Sequence, residues 1–263
     1  MAHDESRDAA PRPARSRDRM GGLVKGLQLI EAFDSAHGRM TPTEAALRVG
    51  ISPAAARRCL LTLCELGYAQ TDGKQYWLSH GALRVAYAYA ASTRLPRMLQ
   101  PALDALTERT RESGSLCVLD GNRVAIAARA TARRTMRVGL VMGSHLPLFC
   151  SSGGRVLMAA LRDDEWRALV ASAAMEPYTR HTVVTLDGLA GLIDECRRIG
   201  YAACDEEIEL GVRSIAIPIY NKQGATVAAM SVSTRAERMT TAEMVNQLLP
   251  TMLRNQEWAR SRI

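Results

Sequence analysis

The chain lacks the usual marks of a metal site, a disulfide scaffold or a membrane protein. It has no CxxC pair, only five scattered histidines, 5% aromatic residues and no apolar run long enough to span a bilayer. No segment near residue 1 is typical of a signal peptide. The six cysteines are irregularly spaced, which favours free thiols in a reducing compartment. They are Cys59, Cys64, Cys117, Cys150, Cys196 and Cys204. We therefore expect a cytoplasmic protein with no metal, no cofactor and no membrane partner.

Lysine is also scarce, since only three of the 34 basic residues are lysines. The net charge of +7 lies mostly beyond residue 80, because residues 1–80 hold eleven basic and nine acidic side chains. The basic overall charge is therefore not evidence for nucleic-acid binding. Residues 1–18 are rich in arginine and poor in apolar residues, which predicts a disordered tail. An arginine arm that enters a minor groove is an alternative role for this tail.

The segment from residue 40 to residue 78 has the pattern of a winged helix-turn-helix. Thr41 with Pro42 and Glu44 predicts a capping box that begins a short helix, which Gly50 ends. Ser52 followed by proline begins a second helix, predicted over 54–66, in the same way. Two short strands then flank a turn at residues 72–73, which indicates a hairpin wing. This layout is typical of proteins that read DNA.

The second helix decides whether that layout serves DNA binding. Helical spacing predicts a core face of Cys59, Leu60, Leu63 and Leu66. On the other side, small residues would let the helix approach a groove, and arginines could reach phosphate or guanine. Simple solvation of an exposed face is the alternative for Arg57 and Arg58. The predicted DNA-contacting residues are Thr41, Ser52, Pro53, Ala54, Ala55, Arg57, Arg58, Thr62 and Lys74.

The segment after the wing is predicted to be a helical linker with an apolar side. An alanine-rich helix is predicted over 82–91, an interruption at Pro96, and a second helix from Met98 to Arg111. Leu99, Leu103 and Leu106 share one side of this second helix. An apolar side has no use in a monomer, so we expect both helices to contribute a dimerisation surface.

The remainder of the chain alternates between strands and helices. Strands come before and after a helical middle, which predicts an antiparallel α+β domain. Strands are predicted at 115–119, 124–127, 136–140, 215–219 and 227–232, and helices at 154–161, 163–171, 186–198 and 241–260.

Three signatures make the chain resemble the IclR family of bacterial transcriptional regulators. They lie in the right order and cover nearly the whole sequence from Met20. The sequences of the first two signatures are most similar to those of the Pca and Pob regulators, a branch that controls aromatic acid catabolism. Gly153 departs from that branch, where a larger residue is expected. The signatures are residues 54–68 (AAARRCLLTLCELGY), 143–159 (GSHLP and SGGRVLMA) and 207–218 (EIELGVRSIAIP).

The resemblance implies a domain organisation and a set of partners. We expect a tail (1–18), a winged helix-turn-helix (19–80), a linker helix that also dimerises (81–111) and a GAF-like effector-binding domain (112–263). The implied partners are a palindromic DNA operator, a second or further copies in a dimer or tetramer, and RNA polymerase if the protein activates. The implied effector is a small carboxylic acid, with protocatechuate and 4-hydroxybenzoate as candidates.

The predicted effector pocket combines a helix start with a strand face. Serines and glycines before a helix offer N–H groups at its positive end, and Arg155 could bind a carboxylate in bidentate fashion. A structural ion pair is the equal alternative for Arg155. Ser231 and Ser233 alternate along one strand and so share a face, although plain sheet positions are their alternative. The predicted pocket residues are Ser152, Gly153, Gly154, Arg155, Asp205, Ser214, Ser231 and Ser233.

Other functional classes remain open at this point. Cys150 beside the serine and glycine run could be a nucleophile, but no histidine stands in a partner motif, so we expect no enzyme. A winged helix that binds protein or RNA is another alternative. A regulator of a non-aromatic carbon pathway is a third. The sequence does not decide between activation and repression.

Overall fold

The computed structural model describes residues 19–132 and 140–263. The predicted tail at 1–18 and nearly all of the predicted strand at 136–140 lie outside these residues. The chain divides into two compact units, the first ending at Tyr89 and the second running from Ala90 to Ile263.

The first unit is a winged helix-turn-helix, as predicted. β1 and β2 pair antiparallel, and Met40 forms a bridge with Tyr76 that attaches the start of α2 to the wing. The elements are α1 (Gly21–Glu31), α2 (Pro42–Val49), α3 (Pro53–Glu65), β1 (Ala69–Thr71), β2 (Tyr76–Leu78) and α4 (Leu83–Ser92), which continues into the second unit.

The predicted helix starts are confirmed. Thr41 and Glu44 form a capping box at α2, in which the Glu44 N–H donates to Thr41 Oγ1 and the Thr41 N–H donates to Glu44 Oε2 at 2.7 Å. Ser52 Oγ accepts the N–H of Ala55 and caps α3. These caps satisfy N–H groups that have no acceptor within the helix, which is why both helices begin where they do.

The core of the first unit forms where α1, α2, α3 and the wing meet. Leu60 and Leu63 of α3 are buried, as predicted, but the prediction for Leu66 is wrong because this side chain is 56% exposed. Leu66 caps the C-terminus of α3, where the chain leaves the helix, so the helical spacing no longer applies. The buried residues of this core are Leu29, Met40, Ala45, Ala46, Ala56, Leu60 and Tyr76.

The predicted interruption at Pro96 is wrong. The helices separate at Thr93, whose backbone is extended, and α5 (Arg94–Thr110) already contains Pro96 in its first turn. Proline is tolerated there because the first N–H groups of a helix have no acceptor within it.

The predicted dimerisation surface on this second helix is also wrong. Leu99, Leu103 and Leu106 are fully buried in the core of the second unit. Apolar spacing of this kind suits a core as well as an interface, and the sequence pattern does not separate the two. Exposed apolar side chains instead lie on α4, where Leu83, Val85 and Tyr87 are 54–75% exposed.

The second unit is an antiparallel α+β domain, as predicted. Its sheet has six strands in the order β5-β4-β3-β8-β7-β6. The short edge strands β5 and β6 were not predicted. The elements are β3 (Ser113–Asp120), β4 (Arg123–Ala130), β5 (His145–Pro147), α6 (Ser152–Ala159), α7 (Asp163–Ala171), α8 (Leu186–Ile199), β6 (Ala202–Asp205), β7 (Val212–Tyr220), β8 (Thr226–Arg235) and α9 (Thr241–Arg260).

Different helices cover the two faces of this sheet. α5 and α9 cover one face, where Leu116, Ile217 and Met230 are fully buried among them. α6 covers the other face and α8 packs on α6, above Ala216 and Ala229. Successive residues of a strand point to opposite faces, so each strand supplies both cores.

Candidate functional site

The exposed side of α3 carries two arginines. Arg57 and Arg58 are exposed, as are Ser52, Pro53, Ala54 and Thr62. Within the described residues, neither guanidinium makes a hydrogen bond or an ion pair, so both remain available to a phosphate or a base edge. The side chains at the start of α3 are small, so the helix backbone can closely approach a DNA groove.

Two of the predicted contact residues are placed differently. Ala55 is buried, because it lies beside Ala56 at the border of the core face and its small side chain is covered. The prediction that it faces outwards is therefore wrong. The Thr41 hydroxyl donates to Glu44 Oε2 at 2.9 Å and accepts the Glu44 N–H, so it serves the capping box.

Two cations lie at the wing, and only one of them, Lys74, was predicted from the sequence; the other is Arg39. Lys74 lies in the turn, where its N–H and that of Gln75 donate to Asp72 Oδ1. Arg39 stacks on the ring of Trp77 with 3.9 Å between the guanidinium carbon and the ring centroid. Only the pairing of Met40 with β2 brings these two residues together, and no local pattern in the sequence signals it.

The start of α4 is held to the end of α3 within the first unit. Arg84 Nη2 donates to the carbonyl oxygen of Leu66 at 2.7 Å, and the same guanidinium lies 4.3 Å from the ring centroid of Tyr68. The hydroxyl of Ser79 donates to the carbonyl oxygen of Gly67. A Cβ on Gly81 would lie 1.9 Å from that same oxygen, so only glycine fits. Several contacts within the first unit therefore hold the start of α4 against the end of α3.

In the second unit, polar side chains form two rows across the sheet face that α6 covers. We call them the polar rows. The first row consists of the cross-strand partners Arg129, Ser115 and Ser231, and Ala216 of β7 continues it. The second row begins at β3 and consists of Ser113, Ser233, Ser214 and Cys204. Ala216 belongs to the core beneath α6, and alternation places the other members on the same face.

The structure brings the predicted residues Ser214, Ser231 and Ser233 together in these rows. Ser231 Oγ lies 3.6 Å from Cys117 Sγ. Among the described residues, the hydroxyls of Ser214 and Ser233 have no hydrogen-bond partner, and both side chains are half-buried. Hydroxyls in this state can donate to and accept from a bound molecule.

Arg129 begins the first polar row and was not predicted. Its Nη1 donates to Ser115 Oγ at 2.6 Å, while its Nε is buried and has no acceptor. No carboxylate pairs with it in the part of the chain that the structure describes. Burial lowers the pKa of Arg129, yet a guanidinium in a protein keeps its charge. A cation without a counter-charge thus faces the serine hydroxyls.

The start of α6 packs tightly on the sheet. A Cβ on Gly153 would lie 2.8 Å from Cys117 Sγ, and one on Gly154 would lie 2.0 Å from the carbonyl oxygen of Leu148. This contact with Cys117 leaves no room for a larger residue at 153. Ser151 Oγ already accepts the N–H of Gly154, so that group does not remain for an anion. Ser152 is buried in the same turn.

Arg155 forms the structural ion pair that was one of its two alternatives. Its Nη2 lies 2.5 Å from Glu207 Oε2, and its Nη1 donates to the carbonyl oxygen of Ala203 at 3.2 Å. Only 2% of Arg155 and 7% of Glu207 are exposed, so the pair lies inside the domain. It joins α6 to the segment after β6, and its charge is already balanced.

Asp205 does not belong to the polar rows. It pairs with Arg213 of β7, whose Nε lies 2.6 Å from Asp205 Oδ1, and it accepts from Thr241 Oγ1 of α9. Arg213 alternates with Ser214 and therefore lies on the opposite face, towards α9. The prediction of Asp205 as a pocket residue is therefore wrong, and Cys204 is the cross-strand partner of Ser214.

Cys150 is poorly suited to nucleophilic attack. It is fully buried, and burial together with the nearby Glu207 raises the pKa of its thiol to about 12. The reactive form of cysteine is the thiolate, which is scarce at neutral pH under these conditions. The geometry therefore gives the enzyme alternative no support.

No helix in the two described ranges is both long enough and apolar enough to cross a membrane. In the same ranges, no three His, Cys, Asp or Glu side chains cluster so that they could hold a metal ion.

Comparison with protein families gives a match for each unit. Residues 22–73 match the IclR helix-turn-helix domain. Residues 87–260 match the family described as bacterial transcriptional regulator IclR C-terminal.

Individual proteins are similar over most of the chain. The Pca regulon regulatory protein of Pseudomonas putida is 38% identical over 90% of this chain and 81% of its own length. The p-hydroxybenzoate hydroxylase transcriptional activator of Acinetobacter baylyi is 35% identical over 97% of this chain and 94% of its own. A mutant PobR inducer-binding domain from Acinetobacter, solved in complex with 3-hydroxybenzoic acid, has a TM-score of 0.61 and 27% identity. The similarity extends over 65% of this chain and over the full length of the PobR domain in that structure (100%).

Proposed function

We propose that this chain, because it belongs to the IclR family of bacterial transcriptional regulators, controls genes of aromatic-compound catabolism in response to a small aromatic carboxylic acid. As a member of that family it binds DNA through the winged helix-turn-helix. The domain boundaries that we propose are 19–80 for the DNA-binding domain, 81–111 for the linker and 112–263 for the effector domain. The cytoplasm is the proposed location.

The aromatic-acid assignment is carried by the polar rows, which place an uncompensated cation and free hydroxyls on one sheet face. A carboxylate and a phenolic hydroxyl are the groups that such a surface recognises. The names of the relatives point the same way, since one is a transcriptional activator for p-hydroxybenzoate hydroxylase and another was solved with 3-hydroxybenzoic acid. Protocatechuate and 4-hydroxybenzoate are the proposed effectors.

Titration calorimetry with the full-length protein tests this proposal. We expect saturable binding of 4-hydroxybenzoate or protocatechuate and none of glyoxylate, which carries the carboxylate without the ring. Binding of glyoxylate alone would favour a non-aromatic carbon pathway. Binding of none of the three acids would remove the aromatic assignment.

We further propose that the protein works as a dimer or a larger homo-oligomer, joined through α4. One winged helix reads too few base pairs for selective binding, whereas two-fold pairing doubles the site. Val85 and Tyr87 of α4 are 54% and 75% exposed, which is unusual for large apolar side chains that serve no contact.

Replacing Val85 and Tyr87 together by aspartate should convert the oligomer to a monomer, because burying unpaired carboxylates at an interface is costly. Light scattering gives the mass, and operator binding should weaken at least tenfold. Leu210, which is 53% exposed in the second unit, offers the control substitution Leu210→Asp. A double variant that keeps the wild-type mass would place the interface elsewhere.

A further inference from the structure

We propose that Arg129 is the residue that binds the effector carboxylate, and that the aromatic ring then lies over β3 and β8 with its distal hydroxyl among the serines of the polar rows. This inference rests on the proposed function and specifies how the same site recognises its ligand. It replaces the predicted anion site at the start of α6.

The first step concerns charge. Arg129 is half-buried, and in the described part of the chain its guanidinium donates one hydrogen bond, to the neutral hydroxyl of Ser115. A buried charge is costly unless a counter-charge balances it, so protein interiors normally pair it. Arg155 shows the normal case, because its Nε is also without an acceptor but Glu207 neutralises the group. At Arg129 the missing partner is an anion.

The second step concerns the choice among arginines on the sheet. Arg213 has Asp205 as its partner and lies on the face towards α9. Arg123, at the other end of β4, is exposed to solvent. Among the strand residues that the structure describes, Arg129 is thus the arginine that combines partial burial, the α6 face and no acidic partner. Its planar guanidinium suits two-point binding of a carboxylate.

The third step concerns length. Arg129, Ser115 and Ser231 are directly opposite one another on β4, β3 and β8. Neighbouring strands lie about 4.8 Å apart, so one to two strand spacings separate the cation from the hydroxyls of β8. A benzoate ring with a hydroxyl para to the carboxylate bridges a distance of this order. Its hydroxyl would then reach Ser231 or Ser233, neither of which donates to another oxygen or nitrogen in the described structure.

The fourth step concerns the apolar border of the site at α6. Cys117 is the residue that follows Ser115 on the same face of β3, and its cross-strand partner on β8 is Ala229. Both are fully buried beneath α6, and Gly153 packs directly on Cys117. Apolar side chains beside a few placed polar groups are typical of small-molecule sites. The ring thus meets an apolar border at α6 and polar rows elsewhere.

Calorimetry that compares an acid with its neutral amide tests the assignment. For wild-type protein we expect 4-hydroxybenzoate to bind at least tenfold more tightly than 4-hydroxybenzamide, because the amide cannot balance the charge of Arg129. In Arg129→Gln the acid should bind ten- to a hundredfold more weakly than in wild type, and the preference for the acid should disappear. Arg129→Lys should recover part of both.

Arg123→Gln is the matched control, since it removes the same charge from an exposed position on the same strand. It should bind the acid as wild type does, and circular dichroism should show that each variant is folded. Equal wild-type affinity for acid and amide would overturn the assignment without any variant. Unchanged acid affinity in Arg129→Gln would overturn it while leaving the proposed function intact. No binding of any aromatic acid by wild type would overturn both.

Discussion

Replacing both Arg57 and Arg58 by alanine should weaken operator binding by at least about thirtyfold. Each guanidinium is exposed on α3 and, within the described residues, is bound to no other group, so both are available to DNA. An arginine that reads a base contributes about 1–3 kcal/mol, and loss of a phosphate contact weakens all sequences alike. Gel-shift titration on a duplex selected from random sequence by the wild-type protein measures the change.

The control for this experiment removes two exposed arginines from α9. Arg254→Ala with Arg260→Ala lowers the net charge equally but should leave operator affinity within a few-fold of wild type. The single variants then separate the two roles. A base-reading arginine should relax specificity at one position of the site, whereas a phosphate contact should reduce the salt dependence. Unchanged affinity in the Arg57 and Arg58 double variant would show that α3 is not the recognition helix.

Breaking the buried ion pair between Arg155 and Glu207 should produce the largest loss of stability. Either Arg155→Met or Glu207→Leu leaves one charge inside the domain without its partner, which typically costs about 3–5 kcal/mol of unfolding free energy. The pair is almost fully buried, so solvent screening does not reduce this figure. Urea denaturation followed by circular dichroism measures it.

The double variant distinguishes a structural ion pair from a ligand-binding arginine. Arg155→Met with Glu207→Leu removes both charges and should regain most of the stability lost in either single variant. If Arg155 instead bound the effector, the double variant would lose ligand affinity while its stability recovered. Wild-type affinity for 4-hydroxybenzoate in a stable double variant agrees with the structure.

Local signals made the DNA-binding unit predictable from the sequence. The capping box at Thr41 and the cap at Ser52 each involve residues only three positions apart, so the local sequence predicts where α2 and α3 begin. Within this unit, the predicted orientations of two residues of the α3 region were wrong. Ala55 is small enough to be covered beside the core face, and Leu66 lies beyond the last regular turn of α3.

The effector domain was predicted less completely because its site depends on strand pairing. Alternation correctly grouped Ser231 with Ser233, but whether Asp205 or Cys204 joins them depends on the register between β6 and β7. Arg129 is separated from Ser115 by the whole β3–β4 hairpin, and no short motif joins them. The apolar side of α5 was ambiguous for a different reason, since a core and an interface require the same spacing.

The division of the sheet into two faces has an evolutionary consequence. Both faces hold a packed core, so drift at those buried positions is restricted by the stability of the domain. Ser214, Ser231 and Ser233 are half-buried on the α6 face, and in the described structure none of them forms a hydrogen bond to oxygen or nitrogen on which the fold depends. Under the proposed function, selection can therefore exchange these side chains for others and retune ligand preference at little energetic risk. A lineage built on this sheet can acquire a new effector without first having to rebuild its scaffold.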